Sequence, residues 1–293
     1  MKTSFRKQIS GWGFLSPALA VIGFIGIFPF VYVVWLSLYE YNVFSLKGWI
    51  FTGLGNYLKL ILDARFLDSL YKSILFVGVT CGIQIPLGLA FAILLSQQFV
   101  GRGVFRTILA LPLSMAPVAI GSMWVLITRP AVGPISYWLS TFGITYNISE
   151  SSVQAFLTTV IMDVWHWTPF VTLTFLAGLT SIPPEPLEAA RVDGANAWKT
   201  FRYVTFPLLK PIFATILFIR IMDTFRIYDE IWALTSGGPG TATRYVNISL
   251  VRTTLAQSDY GYGATMSVFL LYLTVALCTV LLKLISKVRK EYE

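Results

Sequence analysis

Long apolar runs separated by short polar connections dominate the chain. A helix of about 20 apolar residues covers the hydrocarbon core of a bilayer. The first run spans residues 14–38 and meets no charge before Glu40. It is too long for the core of a secretory leader and no small-residue cleavage motif follows, so it reads as a retained helix. Further runs predict helices over 73–98, 107–128, 154–180, 211–234 and 262–282. Gly78, Gly82 and Gly88 on the second allow either close helix packing or a gating motion. Pro29, Pro86, Pro112, Pro117 and Pro169 are candidate kinks. Six spans without a separate soluble domain predict an all-α, polytopic membrane protein whose single domain runs from 1 to 293.

Composition supports that class. Hydrophobic residues make up 56% and charged residues only 12%, against about 25% charge in soluble domains. The 22 Phe, 14 Tyr and 9 Trp also exclude a disordered chain. Cys81 and Cys278 lie in apolar runs and read as buried free thiols. The net charge of +8 then bears on orientation, and no nucleic-acid partner is implied. Thirteen basic residues fall on one side: Lys2, Arg6, Lys7, Arg102, Arg106, Arg191, Lys199, Arg202, Lys210, Lys283, Lys287, Arg289 and Lys290. Seven fall on the other, in longer total sequence: Lys47, Lys59, Arg65, Lys72, Arg129, Arg244 and Arg252. The positive-inside rule puts the first group, and both termini, in the cytoplasm.

The outer connections carry their own signals. Tyr39, Tyr41, Trp49 and Tyr57 suit an interfacial aromatic belt. A short amphipathic helix is expected near 135–142, and another near 244–257 at the outer interface. Ser236-Gly-Gly-Pro-Gly240 forbids a helix running smoothly past the fifth span.

Charges at membrane depth are costly and face a cavity or one another. The fourth span holds Asp163, His166 and Trp167; the fifth holds Arg220, Asp223, Arg226, Asp229 and Glu230. The three-residue spacing of the latter sets pairs on one helix face. Asp163, Trp167, Arg220, Asp223 and Arg226 then either line a solute path or neutralise one another to fix packing. In the first case carboxylate and guanidinium bind hydroxyls, and Trp167 stacks on a sugar ring. His166 reads as a packed, hydrogen-bonded residue, since one His without a Cys or Glu cluster is no metal site. No nucleophile arrangement supplies catalytic residues, and no phosphate-binding loop supplies ATP hydrolysis. No cofactor is expected on this chain.

The connection 182–207 is the most informative. Pro183, Pro184 and Pro186 stiffen its entry, helix formers follow, and Gly194 permits a turn before a second helical piece over 197–204. Pro207 and Pro211 lead into the fifth span. Leu187, Ala190 and Val192 make a small apolar ridge beside Glu188, Arg191 and Asp193. Such a ridge serves either as a docking helix or as an interfacial linker.

The run Glu188-Ala-Ala-Arg-Val-Asp-Gly-Ala195, followed by Phe206-Pro-Leu208, resembles the EAA loop of ATP-binding-cassette importer permeases. Glu188, Ala189, Ala190, Gly194 and Pro207 match that pattern. Asp193, Ala195 and Thr235-Ser-Gly-Gly-Pro-Gly240 resemble its carbohydrate-uptake branch. The order of spans over 12–287 is similar to the first permease subunit of maltose-type and glycerol-phosphate-type systems. The resemblance implies a type I importer-permease fold in a prokaryotic cytoplasmic membrane. It implies that Glu188, Ala189, Ala190, Asp193 and Gly194 couple the chain to an ATPase, with Arg202 as a neighbouring ion-pair candidate. Glu188 would anchor the helix, the alanines permit close contact and Gly194 permits the bend. Implied partners are a second homologous permease, two ATP-binding subunits carrying ATP and Mg, and an extracytoplasmic solute-binding protein. The implied solute is a sugar, oligosaccharide or polyol derivative, with an anionic sugar or glycerol phosphate as a variant. An ion-coupled secondary transporter is the alternative, supported by Asp163 and the charges from Arg220 to Glu230. A membrane scaffold without a solute path is a further one.

Overall fold

The computed structural model describes residues 2–290, Lys47 and Ala131 excepted, with side chains described from Leu15 to Lys283. The side chains of Lys2, Arg6, Lys7, Trp12, Phe14, Lys47, Lys287, Arg289 and Lys290 lie outside the described residues. The chain divides into two compact units, Met1–Ala64 with Leu250–Leu273, and Arg65–Ser249 with Thr274–Glu293. Five described helices are long and apolar enough to cross a membrane, or six if one sharply bent pair counts as a single span.

In the first unit α1 (Lys2–Leu36) runs through Pro17 and Pro29. Its apolar side chains, from Leu15 to Trp35, are mostly exposed, as lipid-facing residues are. The chain then forms a two-stranded antiparallel ribbon, β1 (Tyr39–Glu40) and β2 (Ile50–Phe51), with Tyr39 opposite Phe51. The helix α2 (Gly55–Leu62) follows. Asn56 Nδ2 on α2 donates to the Ser37 and Tyr39 carbonyls at 3.1 and 2.9 Å, holding α2 to the chain where it passes from α1 into β1. Tyr41 stacks on Trp49 with centroids 3.9 Å apart, and Tyr57 shares a hydrogen bond with Ser37. These predicted belt residues therefore pack locally.

The second unit begins with α3 (Ala64–Ser96) and a turn through Gly101 into α4 (Arg102–Ala110). The predicted third span is not one straight helix. After a 3₁₀ turn at Leu111–Ser114 the chain bends by 100° and restarts as α5 (Pro117–Thr128). Ala116 precedes a proline, which disfavours helical backbone there, and sits extended at φ −68°, ψ 137°. Pro117 is then set at the first position of α5, where its missing N–H costs nothing. The short helix α6 (Pro134–Thr141) and the span α7 (Ser152–Thr180) follow.

Next come α8 (Pro184–Val192) and α9 (Ala197–Thr200), and a π-helical turn leads without a break into α10 (Phe206–Phe225). The predicted fifth span ends nine residues early, because α10 stops at Phe225. Arg226 leaves helical geometry at φ −92°, ψ 4°, and Asn247 Nδ2 donates to the Phe225 carbonyl at 2.9 Å. The chain restarts as α11 (Asp229–Thr235), with Asp229 and Glu230 in the first turn, where the helix dipole favours carboxylates. Ser236 and Gly237, both at positive φ, end it at the expected glycine-rich punctuation. Then α12 (Val246–Val251) continues into a π-helical turn over Arg252–Ala256, the expected helix between 244 and 257. The last span, α13 (Tyr260–Lys290), belongs to the first unit as far as Leu273 and to the second from Thr274.

The core of this unit joins Phe76, Ile120, Met162, Ile231, Tyr245 and Ile248. Glycines mark its tightest contacts. A Cβ at Gly121 on α5 would press on the Glu230 carbonyl and lie 2.7 Å from Ala233 Cβ on α11. A Cβ at Gly88 on α3 would lie 2.5 Å from Val171 on α7. Gly78 and Gly82 do not pack this way, since nothing stands within 4 Å of a Cβ at either.

Candidate functional site

The polar residues of α3, α7 and α10 meet at one place inside the second unit. Arg220, on α10, is fully buried. Its Nε donates to Gln84 Oε1 at 2.9 Å, and its Nη2 donates to Asp163 Oδ2 at 3.0 Å and to Thr224 Oγ1 at 2.8 Å. Its guanidinium carbon lies 4.8 Å from the ring centroid of Trp167, within cation–π range. Gln84 Nε2 donates to the carboxylate and to the backbone carbonyl of Asp163, at 2.7 and 2.8 Å. Three spans are therefore tied by a charge pair that an amide and a hydroxyl complete in part. Burial makes such completion necessary, because an unpaired charge out of water is expensive.

The expected pairing along one helix does not form. Arg220 to Asp223, Asp223 to Arg226 and Arg226 to Asp229 make no ion pair among the described residues. Arg226 caps α10 and Asp229 belongs to α11, so the three-residue spacing crosses a break and loses its helical meaning. Arg220 reaches across to α7 instead.

A second buried pair stands beside the first. His166 Nδ1 lies 2.7 Å from Glu230 Oε1, with the side chains 3% and 4% exposed. This linkage ties α7 to α11 and gives His166 the hydrogen-bonded setting expected of it. No group of three His, Cys, Asp or Glu residues with metal-binding geometry occurs among the described residues.

Asp163, Trp167, Arg220, Asp223 and Arg226 all line one cavity of about 210 Å³. Pro117, Ile227, Tyr228, Asp229 and Glu230 complete its wall. Both helix breaks, before Pro117 and after Phe225, thus open onto the same space. Three buried polar atoms of wall residues have no hydrogen-bond partner among the described residues: Asp163 Oδ1, Arg220 Nη1 and Glu230 Oε2. Asp223, Arg226 and Asp229 are exposed. Four carboxyl-bearing side chains face two guanidinium groups, so the wall is acidic on balance. Gln84 and Thr224 were not singled out by the sequence. A lone amide or hydroxyl in an apolar run is a weak signal, because it carries no period.

The connection that resembles an EAA loop is a helix, a bend and a helix. Pro183 caps α8, and Asp193 ends it. Gly194 takes φ +72°, the left-handed conformation that glycine adopts without steric cost. There the Ala195 N–H reaches back to the Ala190 carbonyl at 2.9 Å, closing the helix end. Asn196 Oδ1 then accepts from the Lys199 N–H at 2.9 Å and starts α9. Ala190 is buried, Leu187 half-buried, and Glu188, Ala189, Asp193 and Gly194 are exposed. Val192 is 88% exposed, an apolar side chain without a cover among the described residues.

The sequence matches, over residues 84–289, the family described as "Binding-protein-dependent transport system inner membrane component". The chain belongs to that family. This permease is 34% identical over 291 residues to the trehalose/maltose transport system permease protein MalF of Thermococcus litoralis, covering 99% of this chain and 98% of that one. It is 30% identical over 275 residues to the sn-glycerol-3-phosphate transport system permease protein UgpA of Yersinia pseudotuberculosis, covering 92% of each. Its fold is that of a chain in a bacterial ABC transporter involved in import of the acidic polysaccharide alginate. The TM-score is 0.83 at 19% identity, over 97% of this chain and 98% of that one. The permease is thus a multi-pass inner-membrane transport subunit with the ABC-importer fold, as the EAA-like loop implied.

Proposed function

We propose that this permease forms half of the transmembrane path of an ATP-driven importer for a neutral sugar, oligosaccharide or polyol derivative. Its 293 residues act as one permease domain, with both termini cytoplasmic and 182–207 as the coupling loop. The observation that carries the reading is the convergence of Asp163, Trp167, Arg220, Asp223 and Arg226 on one cavity between two helix breaks. Carboxylates and guanidinium groups accept and donate hydrogen bonds to hydroxyls, and the Trp167 ring offers a face to a pyranose. At about 210 Å³ the cavity is below the ~300 Å³ at which pockets enclose a drug-sized ligand, so a longer solute would pass one ring at a time. The acidic balance of the wall favours a neutral solute over an anionic one. Relatives named for trehalose and maltose agree with that choice, while the relative named for sn-glycerol 3-phosphate keeps the anionic variant as the second reading.

The remaining parts follow from the family. A second, homologous permease completes the path, and an extracytoplasmic binding protein delivers solute. Two ATP-binding subunits hold ATP and Mg, one of them docked on Glu188, Ala189, Ala190, Asp193 and Gly194. The exposed Val192 supports such a cover. Closure of the ATP-binding subunits would move α8 and, through the bend at Gly194, the continuous helix from Ala197 to Phe225. That helix carries Arg220 to the cavity wall, which links ATP turnover to the solute site.

Mass spectrometry of ligand copurified with the binding protein, followed by uptake into liposomes, tests this function. A neutral sugar taken up only with ATP is expected. Uptake that follows an ion gradient without ATP would overturn it in favour of a secondary transporter.

A further inference from the structure

We infer that the turn between α3 and α4 holds an anionic phospholipid, its phosphate on Arg102 and Arg106 and an acyl chain in the apolar hollow beside them. The hollow measures about 230 Å³ and is lined by Phe91, Leu94, Leu95, Phe99, Phe105 and Leu109, without a polar side chain. It lies where a spanning helix leaves the hydrocarbon. Past the charged first turns of α3, with Arg65, Asp68 and Lys72, residues 73–96 are still about 36 Å long, more than the ~30 Å apolar core, so the last turn reaches the headgroup layer.

Two arginines stand at its rim. The Arg106 Nη2 donates to the carbonyl of Leu95, a wall residue, at 3.4 Å, and the backbone N–H of Arg102 donates to the carbonyl of Phe99, another wall residue, at 3.3 Å, which places its Cα beside the hollow. Four residues apart on α4, the two guanidinium groups share a helix face. Neither makes an ion pair among the described residues. No Asp or Glu occurs between Asp68 and Glu150, so neither the end of α3 nor α4 or α5 carries a neutralising partner for them. Val104 and Ile108 on α4 are about 60% exposed, so α4 presents these apolar residues to the bilayer while Phe105 and the arginines remain at the hollow. Guanidinium groups without an ion pair among the described residues, beside an apolar hollow at the bilayer edge, match a phosphodiester with an attached chain. A free phosphate would use the arginines and leave the hollow empty.

The test uses the full-length permease with whichever subunits copurify. It is placed in nanodiscs of equimolar phosphatidylglycerol and phosphatidylcholine with identical chains, and retained lipid is counted by native mass spectrometry. Wild type should retain phosphatidylglycerol preferentially. Arg102→Gln with Arg106→Gln should reduce that preference about thirtyfold, at roughly fivefold per arginine. Arg102→Lys with Arg106→Lys should keep most of it, which separates lost charge from misfolding. Phe99→Ser should lower retention of both lipids. Equal retention by wild type, an unchanged preference in the glutamine variant, or unchanged retention in Phe99→Ser would overturn the inference. So would displacement of the lipid by inorganic phosphate alone.

Discussion

Replacing Arg220 by Gln separates residues that hold the cavity from residues that face a passing solute. Arg220 Nη2 and Asp163 Oδ2 are 3.0 Å apart and both side chains are buried. At an effective dielectric of about 20, that separation gives about 5.5 kcal/mol of attraction before desolvation. Removing one partner leaves a buried carboxylate facing only Gln84, and breaking a buried pair in this way costs about 3–5 kcal/mol. At about 2 °C of melting temperature per kcal/mol for a chain of this size, Arg220→Gln should melt at least about 6 °C below wild type. Adding Asp163→Asn removes the orphaned charge and should recover part of that loss. Arg226→Gln, at an exposed wall position without an ion pair, should leave the melting temperature unchanged and alter the KM for uptake. The assay is thermal unfolding of each purified variant beside transport in liposomes. Arg220→Gln melting within a degree of wild type, or strictly additive losses in the double variant, would refute the account of the pair.

Substitutions at four further positions test other features. His166→Ala leaves the buried Glu230 carboxylate without its 2.7 Å partner and should cost about 1.5–3 kcal/mol by denaturant unfolding, while His166→Gln should cost less. Gly121→Ala should destabilise by about 1–3 kcal/mol because its Cβ meets α11, whereas Gly78→Ala, with open space around it, should be neutral in the same measurement. Gly194→Trp should leave the melting temperature within a few degrees of wild type, at about 1–2 kcal/mol for φ +72°, but abolish stimulation of ATPase activity by solute-loaded binding protein.

Much of this architecture is visible in the sequence because a bilayer leaves few choices. An apolar run of 20 or more residues has to satisfy its backbone internally, so α1, α3, α7 and α13 follow from hydropathy alone. The bend at Gly194 and the helix over 135–142 were legible from turn chemistry and amphipathicity. The two helix breaks were harder. Pro112 and Pro117 mark a kink, but whether a proline bends a span or ends it depends on what receives the freed backbone groups. At Phe225 the receiver is Asn247, distant in sequence. The charges from Arg220 to Asp229 imitate a helical period across that break. The partners of Arg220, and of Glu230 just past the run, come from other spans: Asp163, His166 and an amide, Gln84, that no local pattern marks. The five solute-path candidates still converge on one cavity, because membrane-depth polarity has few places to go. The tight contact at Gly88 and the open space at Gly78 and Gly82 likewise depend on which helix stands opposite.

The most direct test of the central claim is solute uptake into liposomes by the permease with its copurified subunits and binding protein, with and without ATP inside the assay compartment of the ATP-binding subunits. ATP-dependent uptake of a neutral sugar, slowed or reshaped in KM by Arg226→Gln, is the predicted result. Uptake without ATP, or ATP-driven uptake indifferent to substitution at Asp163, Trp167, Arg220, Asp223 and Arg226, would contradict it.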